Sequence, residues 1–234
     1  MEGLPGDPVR RGSRRRLARV SRPEEIILWR HGRTHWNEIG RGQGHLDIPL
    51  DDTGRRQAQV AGPYLAALRP DAIVASDLSR AVETAAVAGT ITGLPVIRDP
   101  RLREIHLGIM QGLTRAEARS RHPQETAAFE AGDSAAGGRE SQETLVARAV
   151  PAALDADVQT LLVVSHGGTI RAILNSLLDI PRARWRDALG PLGNCRWSHV
   201  RRRGDGWQLL VHNTGPDLVP DDSALTAQDT EPAR

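Results

Sequence analysis

Ile26-Ile27-Leu28-Trp29-Arg30-His31-Gly32 sets consecutive apolar residues directly before a cation, an imidazole and a glycine. A half-exposed strand alternates apolar and polar residues. An unbroken short run ending in polar turn chemistry marks a strand buried on both faces, the habit of parallel sheets covered by helices. The pattern returns twice: Ala72-Ile73-Val74-Ala75 runs into Ser76-Asp77-Leu78-Ser79-Arg80, and Leu161-Leu162-Val163-Val164 into Ser165-His166-Gly167-Gly168. Pro95-Val96-Ile97 reads as a shorter strand.

Helical patterns fill the intervals. After the turn Asp51-Asp52-Thr53-Gly54, Ala58, Ala61, Leu65 and Leu68 recur with helical period, and Pro63 is expected to kink that helix. Ala81, Ala85, Ala88 and Ile91 predict the inner face of a helix over 77–92, residues 114–154 read as helices broken by a loop at 133–138, and a further helix follows at 169–178. Residues 195–202 and 207–212 predict a hairpin around Gly204-Asp205-Gly206, with Trp207, Leu209 and Val211 facing inward. Strands alternating with helices predict an α/β fold, a three-layer sandwich with a largely parallel central sheet and helices on both faces.

A chain of 234 residues suits one packed domain, placed at 23–215. Residues 1–22, with seven arginines against Glu2 and Asp7, read as a disordered Arg-rich tail, and residues 216–234 as an acidic disordered tail. The domain between them is near neutral, so no nucleic-acid partner is expected. No run is long and apolar enough for a membrane span and no secretion segment follows the arginines, so no membrane association and a cytoplasmic location are expected. The single cysteine, Cys195, forms no internal disulfide and reads as a small buried filler. All 31 basic residues are arginine. Without lysine, neither a nucleotide-binding P-loop nor Schiff-base chemistry can operate, which leaves anion chemistry to arginine, histidine and backbone amides.

In such sheets ligands bind beyond the carboxyl ends of the strands. There the sequence puts Arg30, His31, Arg80 and His166, and a helix beginning near Thr169 whose first amides are expected to be free. That set suits a tetrahedral dianion. One imidazole can attack phosphorus if its other nitrogen is held, while a second, protonated one steadies the equatorial oxygens. Glu104 is the candidate acid for the leaving group: partial burial would favour its protonated form, which could give a proton to the alkoxide and later take one from water. His31 and His35 do not form a zinc pair, because Gly32 and the turn spoil helical spacing and the metalloprotease glutamate is absent.

Leu28-Trp29-Arg30-His31-Gly32-Arg33-Thr34-His35-Trp36-Asn37 resembles the Arg-His-Gly-x-Thr-x-x-Asn signature of the histidine phosphatase superfamily, in its phosphoglycerate-mutase-like branch. Further blocks follow in family order: 40–50, 76–81, the Glu104 loop, Gly112-Leu113-Thr114, and Val164-Ser165-His166-Gly167-Gly168-Thr169-Ile170-Arg171. The resemblance spans about residues 25–213, and the C-terminal segment is similar to actinobacterial members, some of which are glucosyl-3-phosphoglycerate phosphatases. It implies His31 as nucleophile, Glu104 as general acid and base, Arg30, Arg80 and His166 as the phosphate pocket, and substrate contacts at Asn37, Gln43, Gly167 and Thr34. It also implies a reaction with no metal and no cofactor.

Met110-Gln111-Gly112 stands where many family phosphatases have Trp-Glu-Gly. Ile105-His106-Leu107-Gly108, with no lysine anywhere, departs from the cofactor-dependent mutases. The expected activity is therefore metal-independent hydrolysis of a small-molecule phosphate ester, a sugar or glycerate phosphate, through a phosphohistidine. The alternatives are a phosphoglycerate-type phosphomutase and a catalytically silent phosphate-binding module. The sequence leaves the oligomeric state open, with a homodimer compatible.

Overall fold

Parallel strands β1 (Glu25–Arg30), β4 (Thr160–Ser165), β2 (Ala72–Ala75) and β3 (Val96–Arg98) form four of the six strands of one sheet in the computed structural model, which describes residues 23–185 and 187–216. Antiparallel β5 (Trp197–Arg203) and β6 (Gly206–Thr214) extend it beyond β1, giving the order β3-β2-β4-β1-β5-β6. The predicted tails lie outside the described residues, apart from Pro216 at the boundary of the second.

The unbroken apolar runs serve two cores, because successive side chains point to opposite faces of a strand. Ile27, Trp29, Ile73, Ala75, Leu162 and Val164 pack with Ala58, Ala61, Leu65, Ala81, Ala85 and Ala88 of α2 (Asp52–Ala67) and α3 (Ser79–Thr92). Ile26, Leu28, Val74, Leu161 and Val163 pack on the other side with Leu145, Ala149, Ala152, Ile170, Ile173 and Leu174 of α6 (Gln142–Leu154) and α7 (Gly167–Leu177). This is the expected three-layer α/β sandwich. Cys195 is fully buried in the first core, and burial pushes its thiol well above the usual range.

Several expectations shift. α2 continues through Pro63, which lies on its solvent face. α3 ends at Gly93, whose φ of 74° is a left-handed stop, and Ile91 near that end is exposed instead of inward. Val211 is likewise exposed. A register shift between β5 and β6 causes this: His199 and Val200 pair with Val211 and Leu209, so Leu210 is an extra residue that reverses which side chain of β6 faces the core at Val211. The segment 114–154 divides as expected, into α4 (Arg115–Arg121), α5 (Pro123–Glu130) and α6, with a loop between the last two. The short helix α1 (His35–Glu38) was not foreseen. Among the described residues no helix is long and apolar enough to cross a membrane.

Candidate active site

The order β1-β4-β2 lets three loops leave the sheet side by side at its carboxyl edge. Arg30 pairs in register with Ser165, and Ala75 with Val164, so His31, His166 and Ser76 emerge from adjacent strands. Neighbouring strands lie about 4.8 Å apart, and the His31 and His166 ring centroids stand 5.1 Å apart at 60°. Both rings are buried.

Hydrogen bonds define both tautomers. His31 Nδ1 lies 2.7 Å from the Gly32 carbonyl. A carbonyl only accepts, so Nδ1 carries the proton and Nε2 presents its lone pair. At His166, Nδ1 accepts from Arg80 Nε at 3.2 Å, and Nε2–H therefore donates to Ser76 Oγ at 2.8 Å. Burial first, and the Arg80 charge second, hold both imidazoles well below 6.5, with Arg30 adding to the effect. His166 thus stands neutral in the ligand-free protein, not protonated as the sequence suggested; an arriving dianion would favour its charged form.

The same displacement bears on stability. Below pH 6.5 the unfolded chain binds more protons at these positions than the folded one, so their contribution is complete above that pH and is lost as the pH falls. Depressed carboxylates such as Asp77 and Glu140 lose theirs at lower pH, below the range of an ordinary carboxylate. The melting temperature of the ligand-free protein should therefore already fall between about pH 7 and pH 5, and less so with inorganic phosphate present. A melting temperature that holds or rises over that interval contradicts the neutral pair.

Arg80, on α3, is wholly buried, and burial draws its guanidinium down to about 10, against the pull of Glu104 and Asp47. Besides His166 it donates to Leu46 O at 2.8 Å and Gly44 O at 2.9 Å. It thereby fastens the loop that carries Gln43 to the histidine pair. Arg30 donates to Leu192 O, and its guanidinium carbon would sit 3.5 Å from a Cβ on Gly167, so it lies beneath the start of α7.

Thr34 and Asn37 form a capping box on α1. Asn37 Oδ1 accepts from Thr34 N and Oγ1, both at 3.0 Å, and from Asn194 Nδ2 at 3.4 Å. This fixes the amide orientation and leaves Asn37 Nδ2 buried without a partner. The Thr34 hydroxyl is spent on the cap, which makes Thr34 a support for Asn37. Gln43, also buried, keeps an unpartnered Oε1.

Glu104 sits on the N-terminus of α7. Its Oε1 accepts from Ile105 N at 2.8 Å and Thr169 N at 3.0 Å, and its Oε2 from Gly168 N at 3.1 Å. Two of the amides expected to be free for an anion are thus taken, and the first, on Gly167, lies outside these contacts. The same donors fix the direction of the Glu104 carboxylate.

Five predicted groups therefore converge: His31, His166, Arg30, Arg80 and Glu104, with Asn37, Gln43 and Gly167 around them. Sequence reasoning gave no role to Ser76, which holds the His166 tautomer, or to Asn194, whose Nδ2 donates to His31 O at 3.0 Å. Ser76 was visible in its strand-end motif; Asn194 sits in irregular chain with no local signal. His35 points to solvent against Glu38. His106 lies 5.0 Å from His45, ring to ring, and His45 Nε2 donates to Glu104 O at 2.8 Å. Among the described residues no three His, Cys, Asp or Glu side chains gather as a metal site.

A family model described as "Histidine phosphatase superfamily (branch 1)" matches residues 26–215. Glucosyl-3-phosphoglycerate phosphatase of Mycolicibacterium vanbaalenii is 35% identical over 223 residues, covering 86% of this chain and 99% of that protein. Metal-independent phosphoserine phosphatase of Arabidopsis thaliana is 35% identical over 192 residues, covering 78% of each. Among solved structures, a mycobacterial glucosyl-3-phosphoglycerate phosphatase with VO3 aligns with a TM-score of 0.73 and 38% identity, covering 82% of this chain and 100% of that one. With two imidazoles converging at the mouth of this sheet and a family model matched over nearly all the described residues, the chain belongs to branch 1 of the histidine phosphatase superfamily and is a phosphoric monoester hydrolase.

Proposed function

We propose that this hydrolase cleaves a small phosphorylated metabolite, a sugar or glycerate phosphate, through a phosphoryl group carried on His31 Nε2. The observation that carries the reading is the fixed His31 tautomer 5.1 Å from His166. In the first step the Nε2 lone pair attacks phosphorus, the bond to the ester oxygen breaks, and that oxygen takes a proton from Glu104. In the second, water attacks phosphorus, Glu104 takes back a proton, and the P–Nε2 bond returns its electrons to the ring. Arg30, the Asn37 amide and the Gly167 N–H bind the phosphoryl oxygens, and His166 and Arg80 steady their charge. Gln43, with its acceptor unpartnered, meets a hydroxyl of the substrate. The VO3 held by the mycobacterial relative is an oxyanion of the shape phosphorus passes through, and the names of the relatives support a hydroxylated or carboxylated metabolite as substrate.

Glu104→Gln tests the acid role. It should lower kcat/KM, which reports the first transfer, by about 10²-fold for an alkyl ester such as glycerol phosphate and far less for p-nitrophenyl phosphate, whose leaving group needs no proton. An equal loss on both rules the role out. Phosphate release from a panel of sugar and glycerate phosphates, unaffected by chelator and without isomerised ester, separates hydrolysis from mutase action.

A further inference from the structure

The chain around Glu104 is irregular, yet each carbonyl from Arg101 to Glu104 accepts a side-chain hydrogen bond. Ser165 Oγ donates to Leu102 O and Thr169 Oγ1 to Arg103 O, both at 2.8 Å. His45 Nε2 donates to Glu104 O, and the rest converge from Arg148 on α6. Its Nη1 donates to Arg101 O at 2.6 Å and Arg103 O at 2.8 Å, and its Nη2 to Glu104 O at 2.9 Å. Its remaining two N–H groups hold Glu140, from Nε at 2.6 Å and Nη2 at 2.7 Å. All five guanidinium donors are thus used in one planar fork, which a lysine ammonium cannot reproduce. Glu140 grips the far side of the loop: its Oε2 accepts from His106 N at 3.1 Å, and its amide donates to His106 O at 2.9 Å. The carrier is rigid, since Leu145, Ala149, Ala152 and Ala153 of α6 are buried in the core.

We propose that Arg148, oriented by Glu140, is a positioning residue for the reaction: it fixes the main chain of Glu104 while the α7 amides fix its carboxylate. The inference rests on the acid–base reading of Glu104. Without Arg148, Arg101 O loses its side-chain donor, Arg103 O and Glu104 O keep only Thr169 Oγ1 and His45 Nε2, and the loop relaxes, carrying the carboxylate away from the leaving oxygen. A shift of about 1 Å costs on the order of 10²-fold in a step that depends on alignment.

The test compares Arg148→Met, Glu104→Gln and the double variant on glycerol phosphate and p-nitrophenyl phosphate, with phosphate inhibition and melting temperature measured alongside. Arg148→Met should lose about 30-fold in kcat/KM on glycerol phosphate and under about 3-fold on p-nitrophenyl phosphate, with phosphate inhibition nearly unchanged. Arg148→Lys should restore part of the loss, and the double variant should be no worse than Glu104→Gln. Equal losses on both esters, or additive losses in the double variant, overturn the proposal. If Glu104→Gln is selective and Arg148→Met is not, the positioning role alone fails; if Glu104→Gln is itself unselective, the acid reading falls and takes this one with it. Should Arg148→Met not fold, Glu140→Gln keeps the guanidinium and carries the same comparison with a smaller selective loss.

Discussion

His31→Ala is expected to lower phosphomonoester turnover by about 10⁴-fold or more while phosphate binding survives. No neighbour can replace the missing nitrogen. Both nitrogens of His166 are engaged, one by Arg80 and one by Ser76, and the Glu104 oxygens are held by Ile105, Gly168 and Thr169. The donors proposed to bind an oxyanion, by contrast, lie on Arg30, Asn37 and Gly167 and do not depend on the imidazole. Initial rates and phosphate calorimetry on the same preparation make the check. Residual turnover within about 10²-fold of the wild type would mean that another group attacks.

Gly32→Ala should be nearly as damaging, for a steric reason. A Cβ at Gly32 would lie 2.4 Å from Gly54 O and 2.9 Å from its carbonyl carbon, and a Cβ at Gly54 would lie 2.0 Å from Arg33 O. Two stretches of main chain therefore cross with no room for a methyl group, and no flexible side chain can move aside. Relief would have to come from the first turn of α2, which is pinned: Asp51 caps it at Gly54 N at 2.7 Å and binds Arg33 Nε at 2.8 Å, and Gln57 accepts from Arg33 N at 2.9 Å. Overpacking against backbone costs about 2–4 kcal/mol, a fall of roughly 5–15 °C in melting temperature for a domain of this size. Because the displaced residue adjoins His31 and supplies the carbonyl that holds Nδ1, kcat/KM should drop by about 10²-fold even where the variant remains folded. Near-native stability and activity would show that the crossing is looser than the geometry implies.

The legible parts of this molecule are those where one residue's neighbours in sequence are also its neighbours in physics. Ile26 to Trp29 declare a strand with two buried faces because each face needs its own apolar residue. His31, Ser76 and His166 could be placed together because the carboxyl edge of a parallel sheet gathers strand ends. Register was less accessible: Val211 turns outward because a bulge at Leu210 reverses the alternation, and nothing in Trp207 to Val211 announces it. The proton state of His166 depended on Arg80 donating across the site, and the condition of Glu104 on amides of a helix over sixty residues downstream. Arg148 is the extreme case. It sits on an ordinary amphipathic helix, where an arginine reads as solvated surface, and only the fold shows its fork closing on three carbonyls.

Mixing the protein with a ³²P-labelled ester, quenching within one turnover and mapping the label tests the phosphohistidine directly. The expected result is one equivalent of acid-labile, base-stable phosphate on the peptide containing His31, absent from His31→Ala. Label on a different residue, or none during a turnover that releases phosphate, would contradict it.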